Sequence, residues 1–162
     1  MAGHIITQSG PAGFIIQPGA ASSGLSNNST RRAPRILSLE SDGFILELYG
    51  LILRKLDCEF LGTCDEHEAL HLLLTQPVDL FIQNLAGRAW LLRLMKSEML
   101  LPEIPVLLSS AYTKNWAIDM LKEAGLVLYR DLAGYLEKPC SPLDLLAFVE
   151  TILVRRGKLR PS

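Results

Sequence analysis

The sequence predicts an α/β fold in which a parallel sheet is covered by helices on both faces. Three observations predict it. From Arg35 onward, short apolar runs alternate with segments of helical apolar spacing, five times over. The connections between them are short, and such alternation means parallel strands joined by right-handed crossovers. The strand-like runs are apolar through their centres, as strands buried on both faces are.

Each element has its own signal. Arg35-Ile36-Leu37-Ser38-Leu39 is a buried strand entering the polar loop Glu40-Ser41-Asp42. Phe44, Ile45, Leu48, Leu51 and Ile52 recur at helical spacing to about Leu56. Glu59 to Thr63 is the second strand, and Asp65 or Thr63 caps a helix carrying Ala69, Leu70, Leu72, Leu73 and Leu74, which stops before Pro77. Val78 to Asn84 is the third strand. Trp90 to about Leu100 is the third helix, with Leu91, Leu94 and Met95 on one stripe and Pro102 after it. Ile104 to Ser110 is the fourth strand, with Pro105 near its start, where a missing N–H is tolerated. Asn115 to Ala124 is a helix closed by Gly125. Tyr135-Leu136-Glu137 is a short last strand, and Pro142 opens the last helix.

The 162 residues suffice for one domain with a real core. We read residues 1–34 as a disordered leader, 35–156 as the domain and 157–162 as a short basic tail. The leader is rich in Gly, Ser, Ala, Asn and Pro. Two apolar knots interrupt it, at residues 4–8 and 14–17, and resemble each other weakly. A chance resemblance is the favoured reading; a docking peptide that adds a strand to a sheet edge is the other.

The net charge of −1 points to neither direct nucleic-acid binding nor an anionic membrane surface. The basic clusters Arg31-Arg32 with Arg35, and Arg155-Arg156 with Lys158 and Arg160, read as solubilising charge. No apolar run is long enough to span a bilayer, and no signal peptide is evident. Cys58, Cys64 and Cys140 lack framework spacing, which suggests reduced thiols and a cytoplasmic protein. His67 and His71 are four apart, but a pair is too few ligands for zinc.

In doubly wound sheets the site lies beyond the carboxyl ends of the strands, where strand order reverses. The residues there are Glu40-Ser41-Asp42, Asn84, Ser110-Ala111 and Lys138-Pro139. Taken in order, the runs 36–42, 77–85, 104–111 and 135–139 resemble the response-regulator receiver domain of two-component signalling. The resemblance spans about Arg35 to Arg155. It implies a flavodoxin-like (βα)5 fold with strand order 2-1-3-4-5.

It also implies a chemistry. In that family an aspartate ending the third strand takes a phosphoryl group, acidic residues hold magnesium, and a lysine and a hydroxyl meet the phosphate. Here Asn84 stands at the phosphoacceptor position, and an amide is not a competent nucleophile. Glu40 matches the first acidic position, Ser41 stands where a second acid is usual, and Asp42 lies one place further along. Ser110 matches the switch hydroxyl, Tyr135 the switch aromatic and Lys138 the lysine, followed by a proline that the resemblance implies is cis. Weak magnesium binding or none is expected, through Glu40 at best, and no other cofactor. Lys138 is then expected to pair with Glu40.

The loop after Asn84 is shorter than in the family, with Arg88 read as a solvated residue. About half a dozen extra residues fall within 126–134, either a docking surface or a segment packed back on the domain. The implied function is a non-enzymatic, stand-alone receiver-like module, not phosphorylated at the usual site and acting through protein contacts. Its partners would be a histidine kinase or an output protein, through residues 126–135 and the last helix, with a homodimer left open. The alternatives are a conventional phosphorelay regulator, and a structural or small-molecule-binding module on the same fold.

Overall fold

Five of the strands form in register from the apolar runs. The computed structural model describes residues 7–8, 13–16, 32–85, 89–101 and 103–160. Strands β1 (Thr7–Gln8) and β2 (Gly13–Ile16) precede β3 (Arg35–Leu39), α1 (Gly43–Leu53), β4 (Glu59–Thr63), α2 (Glu66–Thr75) and β5 (Leu80–Asn84). Then follow α3 (Trp90–Ser97), β6 (Val106–Ser110), α4 (Lys114–Glu123), β7 (Gly134–Glu137) and α5 (Pro142–Arg155). The sheet order is β1-β2-β4-β3-β5-β6-β7. Strands β3 to β7 are all parallel, so the five-strand unit has the order 2-1-3-4-5 of a flavodoxin-like fold.

Side-chain alternation divides the core in two. Ile36, Leu80, Ile82, Leu107 and Leu136 face α1 and α5, where Leu46, Leu53, Leu145 and Val149 meet them. Leu37, Leu39, Phe81, Val106 and Leu108 face the other way, onto Ala69, Leu73, Leu92, Met95, Ala117 and Leu121 of α2, α3 and α4. The helix ends are where sequence chemistry puts them. Asp65 Oδ1 accepts from the His67 and Glu68 N–H groups at 2.7 and 2.9 Å. Ser141 and Asp144 form a reciprocal capping box ahead of Pro142. Gly125, at φ +71°, closes α4, with its N–H on the Lys122 carbonyl and the Leu126 N–H on that of Leu121.

The leader reading needs correction at six residues. Strand β2 lies antiparallel to β4, with Gly13 opposite Thr63 and Ile16 opposite Phe60, and β1 lies antiparallel to β2. Of the two readings of the apolar knots, strand addition is the one the backbone adopts, and its partner is this chain's own β4. The rest of residues 1–31 lies outside the described residues.

Two further expectations meet the structure here. Among residues 126–134, Leu126, Leu128 and Leu132 are buried and Val127 and Tyr129 exposed, so the segment packs back on the domain with two apolar side chains outward. In the basic tail, Lys158 pairs with Asp79 at 2.8 Å and Leu159 packs against the α1–α5 layer, so these residues are tied to the body. Among the described residues no helix is long and apolar enough to cross a membrane.

Candidate functional site

Four of the seven sequence candidates converge at the carboxyl end of the sheet. The Glu40 N–H continues the β3–β4 ladder onto the Thr63 carbonyl at 3.1 Å. That keeps Glu40 in the alternation Ile36, Ser38, Glu40, on the face covered by α1 and α5. Asn84 ends β5 on the same face. Lys138 follows β7, and its N–H donates to the Ser110 carbonyl at 2.8 Å.

Glu40 is 2% exposed, so its carboxylate has to be satisfied inside the protein. Oε1 accepts from Asn84 Nδ2 at 2.8 Å and from the Ser41 N–H at 3.0 Å, with Ser41 Oγ at 3.4 Å. Oε2 forms the expected ion pair with Lys138 Nζ, whose side chain is largely buried. Asn84 Nδ2 also donates to Ser41 Oγ at 3.2 Å. The peptide bond between Lys138 and Pro139 is cis.

The other three candidates are placed elsewhere. Asp42 turns away and caps α1, Oδ1 accepting from the Phe44 N–H at 2.8 Å. Ser110 and Tyr135 lie on the opposite sheet face, toward α4. Ser110 Oγ donates to the Leu85 carbonyl and accepts from the Tyr112 N–H, each at 3.2 Å. The Tyr135 ring is buried, and its hydroxyl donates to the Tyr112 carbonyl. Burial pushes that hydroxyl above its ordinary pKa, with Ser110 offsetting part of the effect. Arg88 lies outside the described residues.

A magnesium ion would have to compete with internal donors for the oxygens gathered here. It wants several hard oxygens carrying charge. Glu40 spends both oxygens on internal donors, Asn84 presents its N–H₂ to that carboxylate, and Asp42 serves the helix. Among the described residues no three His, Cys, Asp or Glu side chains are grouped to hold a metal.

Sequence reasoning missed the layer beneath. The Tyr49 hydroxyl and Ser109 Oγ are 2.7 Å apart and buried. Burial pushes Tyr49 up to about 12, with Cys140 and Glu40 adding to the rise and Ser109 opposing it. Tyr49 falls in the apolar period of its helix, and no local signal betrays the partner of its hydroxyl. Cys64, exposed just after β4, is raised by desolvation and by the nearby carboxylates of Glu40, Asp42 and Glu68.

A parallel five-strand sheet in the order 2-1-3-4-5, with polar residues gathered at its carboxyl ends, is the architecture of receiver domains, and solved structures of that class superpose on this chain. A response regulator receiver domain protein (CheY-like) from Methanospirillum hungatei JF-1 is 22% identical, with a TM-score of 0.65 over 78% of this chain and 98% of its own. The signal receiver domain of an HD domain-containing protein from Pseudomonas fluorescens Pf-5 is 23% identical, with a TM-score of 0.65 over 79% and 100%. A response regulator from Thermotoga maritima is 22% identical, with a TM-score of 0.62 over 76% and 99%. No protein-family model and no curated protein matches the chain.

Proposed function

We propose that this protein is a receiver-fold signalling module that acts by binding other proteins, with a pocket kept in one charge state rather than switched by phosphorylation at Asn84. The observation that carries the reading is the closed set Asn84–Glu40–Lys138. In the family the lysine meets an incoming phosphoryl oxygen; here its charge is met by an internal carboxylate. An amide at 84 supplies no anionic nucleophile and donates to that same carboxylate. The module is on this reading non-enzymatic, and its partners are a histidine kinase or an output protein. The contact residues we favour are the outward Val127 and Tyr129 with the exposed Leu143 and Phe148 of α5.

Intact mass after incubation with a small-molecule phosphodonor and magnesium tests this, on the native protein and on Asn84→Asp. The native protein is expected to stay unmodified, and Asn84→Asp to gain one phosphoryl group. A phosphoryl group on the native protein would overturn the reading. An unmodified Asn84→Asp variant would show a pocket that has lost more than its nucleophile.

A further inference from the structure

Where β6 and β7 begin, at the far end of the sheet from Glu40, a cleft of about 550 Å³ opens between the last turn of α5 and the segment leading into β7. Leu101, Pro105, Leu132 and Ile152 make its apolar floor, and all four are buried. Arg130, Asp131, Arg155 and Arg156 stand around that floor. The wall on the β7 side is a fixed turn. The Asp131 N–H donates to the Val127 carbonyl at 2.9 Å, and Asp131 Oδ2 accepts from the Val127 N–H at 2.7 Å, so the two residues close a ring. Tyr129 at its apex is held at φ +64°, a left-handed backbone that bulky side chains rarely adopt. Lys114 Nζ lies 4.8 Å over the Tyr129 ring. A wall set in advance leaves little ordering for a ligand to impose.

We propose that this cleft binds a small organic acid, a carboxylate or phosphate ester carried on an apolar body. An apolar floor with a few convergent polar groups, at this volume, is the usual form of a small-molecule site. Its lining sets three arginines against one aspartate, in a protein whose net charge is −1. Asp131 has no oxygen left for a ligand. Arg130 Nη2 and Nε reach its carboxylate at 2.7 and 3.0 Å, beside the Val127 N–H. Arg155 makes no ion pair and no side-chain hydrogen bond among the described residues. A cation at a helix end ordinarily serves the last carbonyls. Here the backbone does so. The Gly157 N–H, at φ +66°, donates to the Val154 carbonyl at 2.9 Å, and the Lys158 N–H to that of Leu153 at 2.8 Å. Arg155 therefore offers a planar fork of donors beside an apolar floor, and that fork matches carboxylate or phosphate oxygens two at a time.

The same lining argues against other ligands. A cation would meet three like charges, and a neutral apolar molecule would leave the Arg155 fork without a partner and shielded from water. The proposal uses no residue of the Glu40 cluster, so it stands or falls apart from the phosphorylation reading.

Amide chemical shifts of the full chain test it. The probe is 8-anilinonaphthalene-1-sulfonate, a ring system with one anionic group, and the control is N-phenyl-1-naphthylamine, the same rings without the sulfonate. The sulfonate should shift the amides of Leu101, Leu132, Ala133 and Ile152. Arg155→Glu should weaken that binding at least tenfold, with the far-ultraviolet circular dichroism and the response to the neutral probe unchanged. Arg155→Gln, which leaves the helix end without a new charge, should weaken it in the same direction. Sulfonate binding that both variants leave intact, shifts confined to the exposed side of α1 at Phe44, Leu48 and Leu51, or equal binding of the neutral probe in the cleft would each overturn the proposal. Shifts at the cleft amides with a peptide alternating Glu and Leu, and none with the sulfonate, would assign the cleft to an acidic partner segment instead.

Discussion

Two buried carboxylates sit at opposite ends of the same sheet and are satisfied in different ways. At the amino end, Asp79 takes the Arg35 N–H at 2.8 Å, Arg32 at 2.7 Å and Lys158 at 2.8 Å. Both cations are nearly half exposed and come from the segments flanking the five-strand unit. At the carboxyl end, Glu40 has one cation, Lys138, and two neutral donors, Asn84 and Ser41. The first cluster is redundant and open to water, and it ties the segment before β3 and the segment after α5 to the sheet. The second is enclosed and has no spare. Redundancy suits a structural tie. In a pocket with a single cation, one substitution resets the charge balance.

The largest expected effect is at the enclosed end. Lys138→Met leaves a buried carboxylate with no counter-charge and should lower unfolding free energy by about 3–5 kcal/mol, read by urea denaturation. A loss no greater than a surface substitution would mean that Glu40 is rescued by water, and the contrast between the two ends would disappear.

Asp79→Asn comes next, at about 1.5–3 kcal/mol near neutral pH. Burial alone would push the Asp79 carboxyl up, but Lys158, the Arg35 N–H and Arg32 together outweigh it and hold it below its ordinary value. A carboxyl held low contributes stability above the unfolded value, near 3.9, and loses it as pH falls through the lower folded value. The difference between wild type and Asp79→Asn should therefore shrink in acid. The same pair of urea titrations repeated below the unfolded carboxylate range checks this; a pH-independent difference would assign the effect to packing.

The smallest effect should follow Arg32→Ala. Its side chain is 44% exposed and Asp79 keeps Lys158 and the Arg35 N–H, so about 0–1 kcal/mol is expected. A loss matching that of Lys138→Met would show that the amino end is as intolerant as the pocket.

These same two clusters mark how far the sequence could be read. The carboxyl end was legible because its residues close apolar runs, and the fold class tells the reader that such ends converge. Asp42 was read only as an acidic residue one place further along, and its cap on α1 is a finding of the structure. The amino-end tie was not legible. Arg32, Asp79 and Lys158 are far apart in sequence, and Arg32 and Lys158 were read as solubilising charge because a cation shows no sign of its distant partner. Tyr49 and Ser109 were hidden for the same reason. The hairpin of β1 and β2 was half legible: Phe14-Ile15-Ile16 is visible as an apolar knot, but pairing with β4, more than forty residues away, is a long-range event with no local marker.

That hairpin changes what it means to shorten this protein. With β2 laid along it, β4 is an interior strand of a seven-stranded sheet. A fragment starting at Arg35 would keep every helix and all five parallel strands, yet expose along β4 a row of unpaired N–H and C=O groups. Such a border is a template for strand addition by any neighbouring chain and is a recognised route to aggregation. Poor solubility of such a fragment would then report a missing border strand, not a defect in the core.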